Sequence, residues 1–502
     1  MPPTPLQPVK IRNLGIYGII RQAEVDDNLI PEGAVVEAVN VHFDRKGATT
    51  VRPGMTALGT TFAASGVVGL TAGQAPMIIH NIFDSGLIAV LADGSGYYYN
   101  SVGSDWGRRA SAGVFTSDAK VRAVNFLDRA VFVNGGLESI RTGKFIGNAG
   151  SFEFATTDTQ PLNMQQFASD STINTQTLRA KFIEVFKSRI YLSGDPTTPD
   201  RLFFSSVATS TGKITWTPSL DYVDINPSDG ENISALKRFS LELLVFKPNY
   251  IYRFRTSGTD PDPLINVGTR SQESITEGKR GMYFHHDSGF YRYSGGYPEE
   301  IGRAISDVIL AIPFSRYDDI TGWKDTDHIY WSIGNLTISG ETWINVVVRY
   351  TESSDIWTIY SYPSDIRRAA IYTAGSYQTI VVGLDNGAAT TLNTGTTDLG
   401  EPIKYREITK WYELEGIQNT KIIQTLAAIC EKAQGTNLMY QVNDEIEWKS
   451  VGDGQIRKFL NIFRNLNIKL NRIRFKVTGV SRNEAPLFLG LEILEGINEG
   501  LI

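Results

Sequence analysis

The chain has 502 residues, of which 41% are hydrophobic and 20% charged, so it exceeds the ~250–300 residues that one core accommodates and carries too much apolar surface for disorder throughout. Its 47 Gly and 20 Pro exclude a coiled-coil rod, whereas 24 Phe, 22 Tyr and 8 Trp suit strands. A net charge of −6 argues against a general nucleic-acid binder, and the lone Cys430 rules out a disulfide within the chain.

The chain opens Met1-Pro-Pro-Thr-Pro5, with neither the basic nor the apolar part of a secretory signal. No apolar run approaches the roughly 20 residues of a membrane-spanning helix. These features predict folding in a reducing cytoplasm.

From about residue 87 a hairpin recurs. Leu87–Leu91 turns through Asp93-Gly-Ser-Gly96 into Tyr97–Tyr99, and Arg129–Val133 turns through Asn134-Gly-Gly136 into Leu137–Arg141. Arg189–Leu192 returns as Arg201–Phe204, and Leu243–Phe246 returns as Tyr250–Phe254. Met282–Phe284 turns at Asp287-Ser-Gly289 into Phe290–Tyr293, Ile344–Tyr350 turns into Ile356–Tyr360, and Thr379–Val382 turns at Asp385-Asn-Gly387 into Thr390–Leu392. Starts lie about 35 to 62 residues apart, bracketing the ~40–50 of one propeller blade, and short apolar runs such as Val121–Phe126, Phe182–Phe186 and Arg367–Tyr372 precede several of them.

The repeat predicts an all-β fold: a β-propeller of six to eight blades over residues 61–401, without WD40 or kelch signatures. Residues 1–60 read as an extended segment and strand pair serving the propeller or ring contacts. The polar stretch 156–177 reads as a long inter-blade loop. From Pro402 apolar and charged residues alternate in Glu445–Lys449, Arg472–Val477 and Pro486–Ile493, predicting a smaller sandwich-like β domain over 402–502.

Candidate chemistry is sparse. His285 and His286 are neighbours on a predicted strand and point to opposite faces, so they do not share a metal readily. Asp224-Ile-Asn-Pro-Ser-Asp229-Gly230 resembles a calcium loop but lacks its spacing and final glutamate. A glycosidase would need a carboxylate pair, for which Asp325 and Asp327 beside Trp323 or Trp331 are the best place. The nearest echo of a sialidase box, Ser354-Asp-Ile-Trp357, lacks the glycine. Cys430 sits in an apolar run and reads as a small core residue. No nucleophile elbow, phosphate loop or zinc cysteine pair occurs. No catalytic residue, cofactor or metal is assigned.

One charge pattern stands apart. Arg457, Lys458, Arg464, Lys469, Arg472, Arg474, Lys476 and Arg482 lie in 26 residues free of Asp and Glu. Arg472, Arg474 and Lys476 share one strand face. Such a stripe is a wet strand face balanced by nearby acids, or it contacts phosphates or the acidic surface of a partner.

With blades and tail in place, the chain resembles the β-propeller proteins of short-tailed phages known as tail hubs, nozzles, head-to-tail stoppers or packaged-DNA stabilisation proteins. The resemblance rests first on Asp26–Asn40, with Pro31-Glu-Gly33, followed by Asp44–Gly47 and Val51-Arg-Pro-Gly54. It continues through Ser188–Asp195 with Pro199–Ser206, through Asp229–Leu236 with Leu243–Lys247 and Ile251–Phe254, through Gly281–Gly302, and through the basic strand Leu470–Val477. It covers most of the chain through loose motifs.

The resemblance implies a structural, non-enzymatic virion protein of the tail or neck, assembled in the bacterial cytoplasm. Such proteins form homo-oligomeric rings, usually of six copies, below the portal and adaptor. They touch adaptor, portal-proximal and fibre or spike proteins, and pass double-stranded DNA without reading its sequence. A cyclic ring is head-to-tail and needs two complementary patches. The basic C-terminal residues and the acidic Asp318, Asp319, Asp325 and Asp327 are the candidate pair. The alternative reading is a propeller that binds or hydrolyses polysaccharide.

Overall fold

In the computed structural model the recurring hairpins become sheets. The structure describes residues 3–501 apart from 23–28, 44–47, 61, 63–65, 75–84, 101–103, 127–128, 139, 147–150, 155–177, 208–213, 215–219, 255–261, 339, 375–376, 433–434, 444, 458 and 482–484. The long polar stretch 156–177 therefore lies outside the described residues, as do Lys458 and Arg482.

Among the described residues, seven four-stranded antiparallel blades follow one another. Blade 1 runs Val67–Gln74, Ser85–Leu91, Gly96–Asn100, Asp105–Ala110, and blade 2 runs Val121–Phe126, Arg129–Asn134, Arg141–Ile146, Ser151–Phe154. Blade 3 spans Phe182–Phe186 to Tyr222–Asp224, blade 4 Ala235–Phe239 to Asp262–Ile265, and blade 5 Thr276–Glu277 to Glu299–Glu300. Blade 6 comprises Thr321–Lys324, His328–Ile338, Glu341–Thr351 and Ile356–Ser361. Blade 7 comprises Ile366–Ala374, Tyr377–Leu384, Ala389–Leu392 and, from the other end of the chain, Met55–Ala57.

Burial closes the circle. Each of the seven core clusters lies between two consecutive blades: Val90 with Phe132, Val131 with Leu192, Leu202 with Leu243, Phe246 with Phe284, Phe290 with Trp331, Tyr330 with Val382, and Val381 with Leu87. A single blade has two apolar faces and no core of its own, so it is stable only between neighbours. Met55–Ala57 supplies the fourth strand of blade 7 just before the chain enters blade 1, which joins last blade to first without a free edge between them. The fold is a seven-bladed β-propeller.

The turns explain the punctuation. In blade 1 the Asp93 carboxylate accepts the Ser95 amide at 2.9 Å, and Gly94 has φ +78°, where a Cβ would lie 1.9 Å from the Phe115 carbonyl oxygen. Only glycine fits that approach.

The remaining strands build a two-sheet sandwich. One sheet orders Leu460–Phe463, Asn419–Glu431, Leu487–Leu501, Thr49–Val51 and Val41–Phe43, with Ile468–Leu470 beside Asn419–Glu431 and both Thr4–Pro5 and Val9–Arg12 beside Leu487–Leu501. The other joins Lys449–Ile456, Thr436–Val442, Ile473–Ser481, Glu401–Thr409 and Val35–Val39. The N-terminal segment thus gives most of its strands to the C-terminal module and one to the propeller. Glu445–Lys449, expected as a strand, is instead mostly the loop joining Thr436–Val442 to Lys449–Ile456, and its central Ile446 is 90% exposed. Period-two alternation predicts a strand only when one phase is buried, and here neither phase is.

The sandwich core runs without a break into the cluster between blades 5 and 6. Arg52 fastens the joint. Its side chain is fully buried and uses all five N–H groups: Nε donates to Asn40 Oδ1 (2.8 Å), Nη1 to Asp398 Oδ1 (2.9 Å) and the Pro53 carbonyl (3.0 Å), Nη2 to Asp398 Oδ2 (2.5 Å) and the Ser361 carbonyl (2.7 Å). The guanidinium lies 4.0 Å from the centroid of the Tyr362 ring. Asn40 Nδ2 donates in turn to the Lys404 carbonyl at 2.8 Å.

Two predictions follow from this packing. Arg52→Met strands the Asp398 carboxylate and should cost about 3–5 kcal/mol, measured by denaturant unfolding. Glu407, only 2% exposed inside the sandwich, is pushed by burial up to about 7. Its folded pKa lies above the ordinary carboxylate value, so the penalty is absent below about pH 4.5 and grows as pH rises toward 7. Glu407→Gln should therefore stabilise the protein at pH 8, by about 3 kcal/mol, with the advantage vanishing near pH 4.

Candidate functional sites: a closed axis and a cationic sandwich face

The residues that lead into the innermost strands converge on the propeller axis. Arg122, the second residue of the first strand of blade 2, grips Glu273 ahead of blade 5 with Nε–Oε1 at 2.6 Å and Nη2–Oε2 at 3.0 Å. Blades 3 and 4 stand between them in the ring, so this pair crosses the axis. Lys120 reaches the segment ahead of blade 6, with Nζ 2.8 Å from Asp319 Oδ1 and donating to the Asp318 carbonyl at 2.5 Å. Arg316 and Arg367 both hold Asp365, at 2.8 and 3.2 Å, and Arg368 Nε donates to the Val68 carbonyl at 2.9 Å, tying blade 7 to blade 1.

Charge and burial reinforce this closure. Burial alone would raise the Glu273 carboxyl, yet Arg122, Arg368 and Lys120 outweigh it and hold it well below the usual carboxylate range. Above the network is a depression of about 540 Å³, lined by Lys120, Arg122, Lys181, Arg270, Glu231 and Asp318 among others. Arg270 is itself held by both Asp287 oxygens, at 2.9 and 3.0 Å.

The four acidic candidates do not form one patch. Asp318 and Asp319 precede the strand Thr321–Lys324, while Asp325 and Asp327 follow it, so the pairs occupy opposite ends of the propeller. Asp325 accepts Tyr330 Oη at 2.7 Å and meets His328 Nδ1 at 2.7 Å. Burial opposes its charge, but these bonds and two backbone amides bring its pKa down to about 2. Asp327 bonds Ser353 at 2.5 Å and lies 3.6 Å from Lys279. A carboxylate held ionised does not suit a general acid. Trp323 and Trp331, the candidate sugar platforms, are 4% and 0% exposed. Trp323 stacks on Tyr330, and Trp331 donates to the Ser274 carbonyl at 2.9 Å.

Other sequence motifs resolve into structural roles. The calcium-like loop at 224–230 surrounds the buried Lys247 ammonium, which lies 2.7 Å from Asp229 Oδ1, 3.0 Å from Asp200 Oδ1 and 3.1 Å from the Asn226 carbonyl. A side-chain cation fills the place a metal would take. His285 is buried against Phe290 and Tyr317, and burial brings it down to about 3. His286 Nδ1 lies 2.8 Å from Ser288 Oγ. Cys430 is buried, and burial pushes its thiol up to about 12. Among the described residues no group of three His, Cys, Asp or Glu is placed to hold a metal, and no helix is long and apolar enough to cross a membrane.

The basic stripe divides. Arg472, Arg474 and Lys476 form a ladder on the outer sandwich face with two tryptophans the sequence reading missed. Arg472 and Arg474 each lie 4.6 Å from the Trp411 ring, and Arg474 and Lys476 lie 5.3 and 4.4 Å from Trp448. These pairs join different strands and a loop, so no local spacing announces them. Arg474 Nε also donates to Gln441 Oε1 at 2.7 Å, and burial together with Arg406 lowers the Lys476 ammonium. The ladder leads to a cavity of about 330 Å³ at the propeller joint, lined by Arg21, Glu37, Glu341, Trp448 and Arg474 among others. Lys469 pairs with Glu499 at 3.1 Å and Arg457 with Asp453 at 3.0 Å, while Arg464 is exposed on the sandwich rim.

No family model and no curated protein matches the chain. It is similar to a solved structure of YCF48 bound to D1 peptide, at 8% identity and a TM-score of 0.39, over 74% of this chain and 97% of that one.

The axial network carries a pH signature. Glu273 has a depressed folded pKa, so its contribution is present above about pH 4.5 and lost as pH falls below it. Glu273→Gln should lower stability at pH 7 by about 3 kcal/mol and flatten the acid side of the stability curve, measured by denaturant titration from pH 3 to 8.

Proposed function

We propose that this protein is a structural subunit of a homo-oligomeric ring, of about six copies, in the tail or neck of a short-tailed phage virion. It sits below portal and adaptor around the route by which the genome leaves. The motifs Pro31-Glu-Gly33, Asn40 and Arg52-Pro-Gly54 support this reading. So does the use of charged residues for internal ties rather than for a reactive constellation.

The observation that carries the reading is the closed axis. With Arg122 on Glu273 and Lys120 on Asp319, the propeller does not serve as a pore, and any channel lies between copies. A net charge of −6 per chain, about −36 for six copies, suits a wall past which DNA slides, since each phosphate contact would act as a brake.

Native mass spectrometry with negative-stain imaging tests it. A ring with an open centre between the propellers is the expected result. A protein that stays monomeric at high concentration, and is absent from virion-like particles when co-expressed with portal and adaptor proteins, would overturn it.

A further inference from the structure

We infer that the outward face of the sandwich sheet containing Glu401–Thr409 and Ile473–Ser481 binds a phosphodiester backbone, without regard to sequence. The inference goes beyond the ring reading and holds whether or not copies associate.

Two neighbouring strands supply the face. Buried positions alternate from Ile403 on one strand and from Ile473 on the other. Lys404 and Arg406, and across from them Arg474 and Lys476, therefore point away from the sandwich core. The strands pair antiparallel with Arg406 opposite Thr478, which sets Arg406 diagonally beside Lys476. Tryptophans hold the row in place: Arg472 and Arg474 each lie 4.6 Å from the Trp411 ring, and Lys476 lies 4.4 Å from Trp448. The groove between this face and blade 6 is hollowed twice. One hollow is the 330 Å³ cavity beside Arg474 and Trp448, and the other, of about 440 Å³, is lined by Lys404, Arg406, Asn437, Thr478 and Ser361 among others.

The face is short of counter-charge. Its acids Glu37 and Glu341 are both held by Arg406, and Glu37 also holds Arg21. In the loop that carries Trp448, Glu445 pairs with Lys449 at 2.7 Å and Glu447 is exposed. Lys404 and Lys476 make no ion pair among the described residues. Burial, Arg406 and Arg474 together disfavour the Lys476 ammonium, and Glu37 and Glu341 do not offset them. An anion among Arg406, Arg474 and Lys476 removes that deficit.

The character of the face selects a phosphate backbone over an acidic protein surface. No large hydrophobic residue is exposed on Glu401–Thr409, Thr436–Val442 or Ile473–Ser481, whereas protein partners anchor on a desolvated apolar centre. Cations two residues apart on a strand recur every ~6.6 Å, a regular row suited to a regular line of charge. The rings of Trp411 and Trp448 are engaged by these cations, so the face offers charge to a duplex rather than stacking to unpaired bases. Asn437 and Thr478 add neutral donors to phosphate oxygens. On a chain of net charge −6, the grip on phosphates is confined to this face.

The probe is a fluorescein-labelled, mixed-sequence DNA duplex of about 20 base pairs, titrated with the full chain at about 50 mM salt and above. Binding is expected, with an unlabelled duplex of unrelated sequence competing equally. Lys404→Glu with Lys476→Glu should weaken it by about tenfold or more. The milder Lys404→Gln with Lys476→Gln keeps both stems, should unfold at the wild-type denaturant midpoint, and should reduce the slope of log affinity against log salt by about 2. Arg457→Glu with Lys469→Glu alters cations off this face, held by Asp453 and Glu499, and should leave affinity within about twofold. No binding at low salt overturns the inference, and so does an equal loss in the off-face pair, which would reduce the effect to net charge. Displacement of the duplex by poly-glutamate as readily as by DNA of equal charge overturns it in favour of an acidic protein partner. None of these readings depends on assembly, so failure here leaves the ring reading standing.

Discussion

The arrangement of this molecule depends on the burial of one guanidinium. Arg52 sits where three parts of the chain meet: Asn40 from the N-terminal segment, Ser361 at the end of blade 6, and Asp398 between blade 7 and the sandwich. Desolvating a cation is expensive, and the site offsets this only because every N–H finds an acceptor and an aromatic ring covers one face. A partly formed site would be worse than an apolar one. The three segments therefore have one favourable arrangement, and the orientation of sandwich on propeller is part of the fold rather than a matter of a hinge. Met55–Ala57, three residues beyond Arg52, closes the propeller, so the same segment governs both the joint and the circle.

A second use of charge follows the same logic at the axis. Seven blades leave a central space that their apolar faces do not fill, because those faces turn toward neighbouring blades. Long cationic side chains reach across it. Arg122 spans from blade 2 to Glu273, and Lys120 to Asp319. Such pairs are strong where water is scarce and little screened by salt. Other carboxylates act in the same way: Glu273, Asp229, Glu352 and Asp325 each hold neighbouring blades or turns together.

The sequence made the propeller legible and its joints much less so. Each of the seven hairpins is bounded by Gly, Asp, Asn or Ser for a local reason, as Asp93 and Gly94 show, and local reasons survive in a one-dimensional reading. The Arg-Pro-Gly stretch at 52–54 was visible as a motif, and its structural meaning is the node described above. A Cβ on Gly54 would lie 1.9 Å from the Thr397 carbonyl oxygen, so that glycine too serves the joint. Arg122 with Glu273, Trp411 with Arg472, and the entry of residues 4–51 into the C-terminal sheets depend on residues far apart in sequence, and no spacing rule encodes them. The basic stripe misled in a different way. Its cations are contiguous in sequence yet divided between a tryptophan ladder and an open rim.

Glu445–Lys449 shows the same principle at work. Its Glu-Ile-Glu-Trp-Lys alternation satisfies the pattern of a strand, but a strand at that position would bury neither phase, and the structure leaves Ile446 in solvent between two carboxylates. Monomer physics gives no reason to put a β-branched apolar residue there, since exposure contributes nothing to folding and risks aggregation. The edge at Leu460–Phe463 poses the same difficulty, being open, apolar and lacking a covering strand among the described residues. Each of these two features is unfavourable for an isolated chain, and each would gain from a covering surface. In the propeller the blades pack face to face around a circle, while the outermost strands of blades 1 to 5 end their sheets.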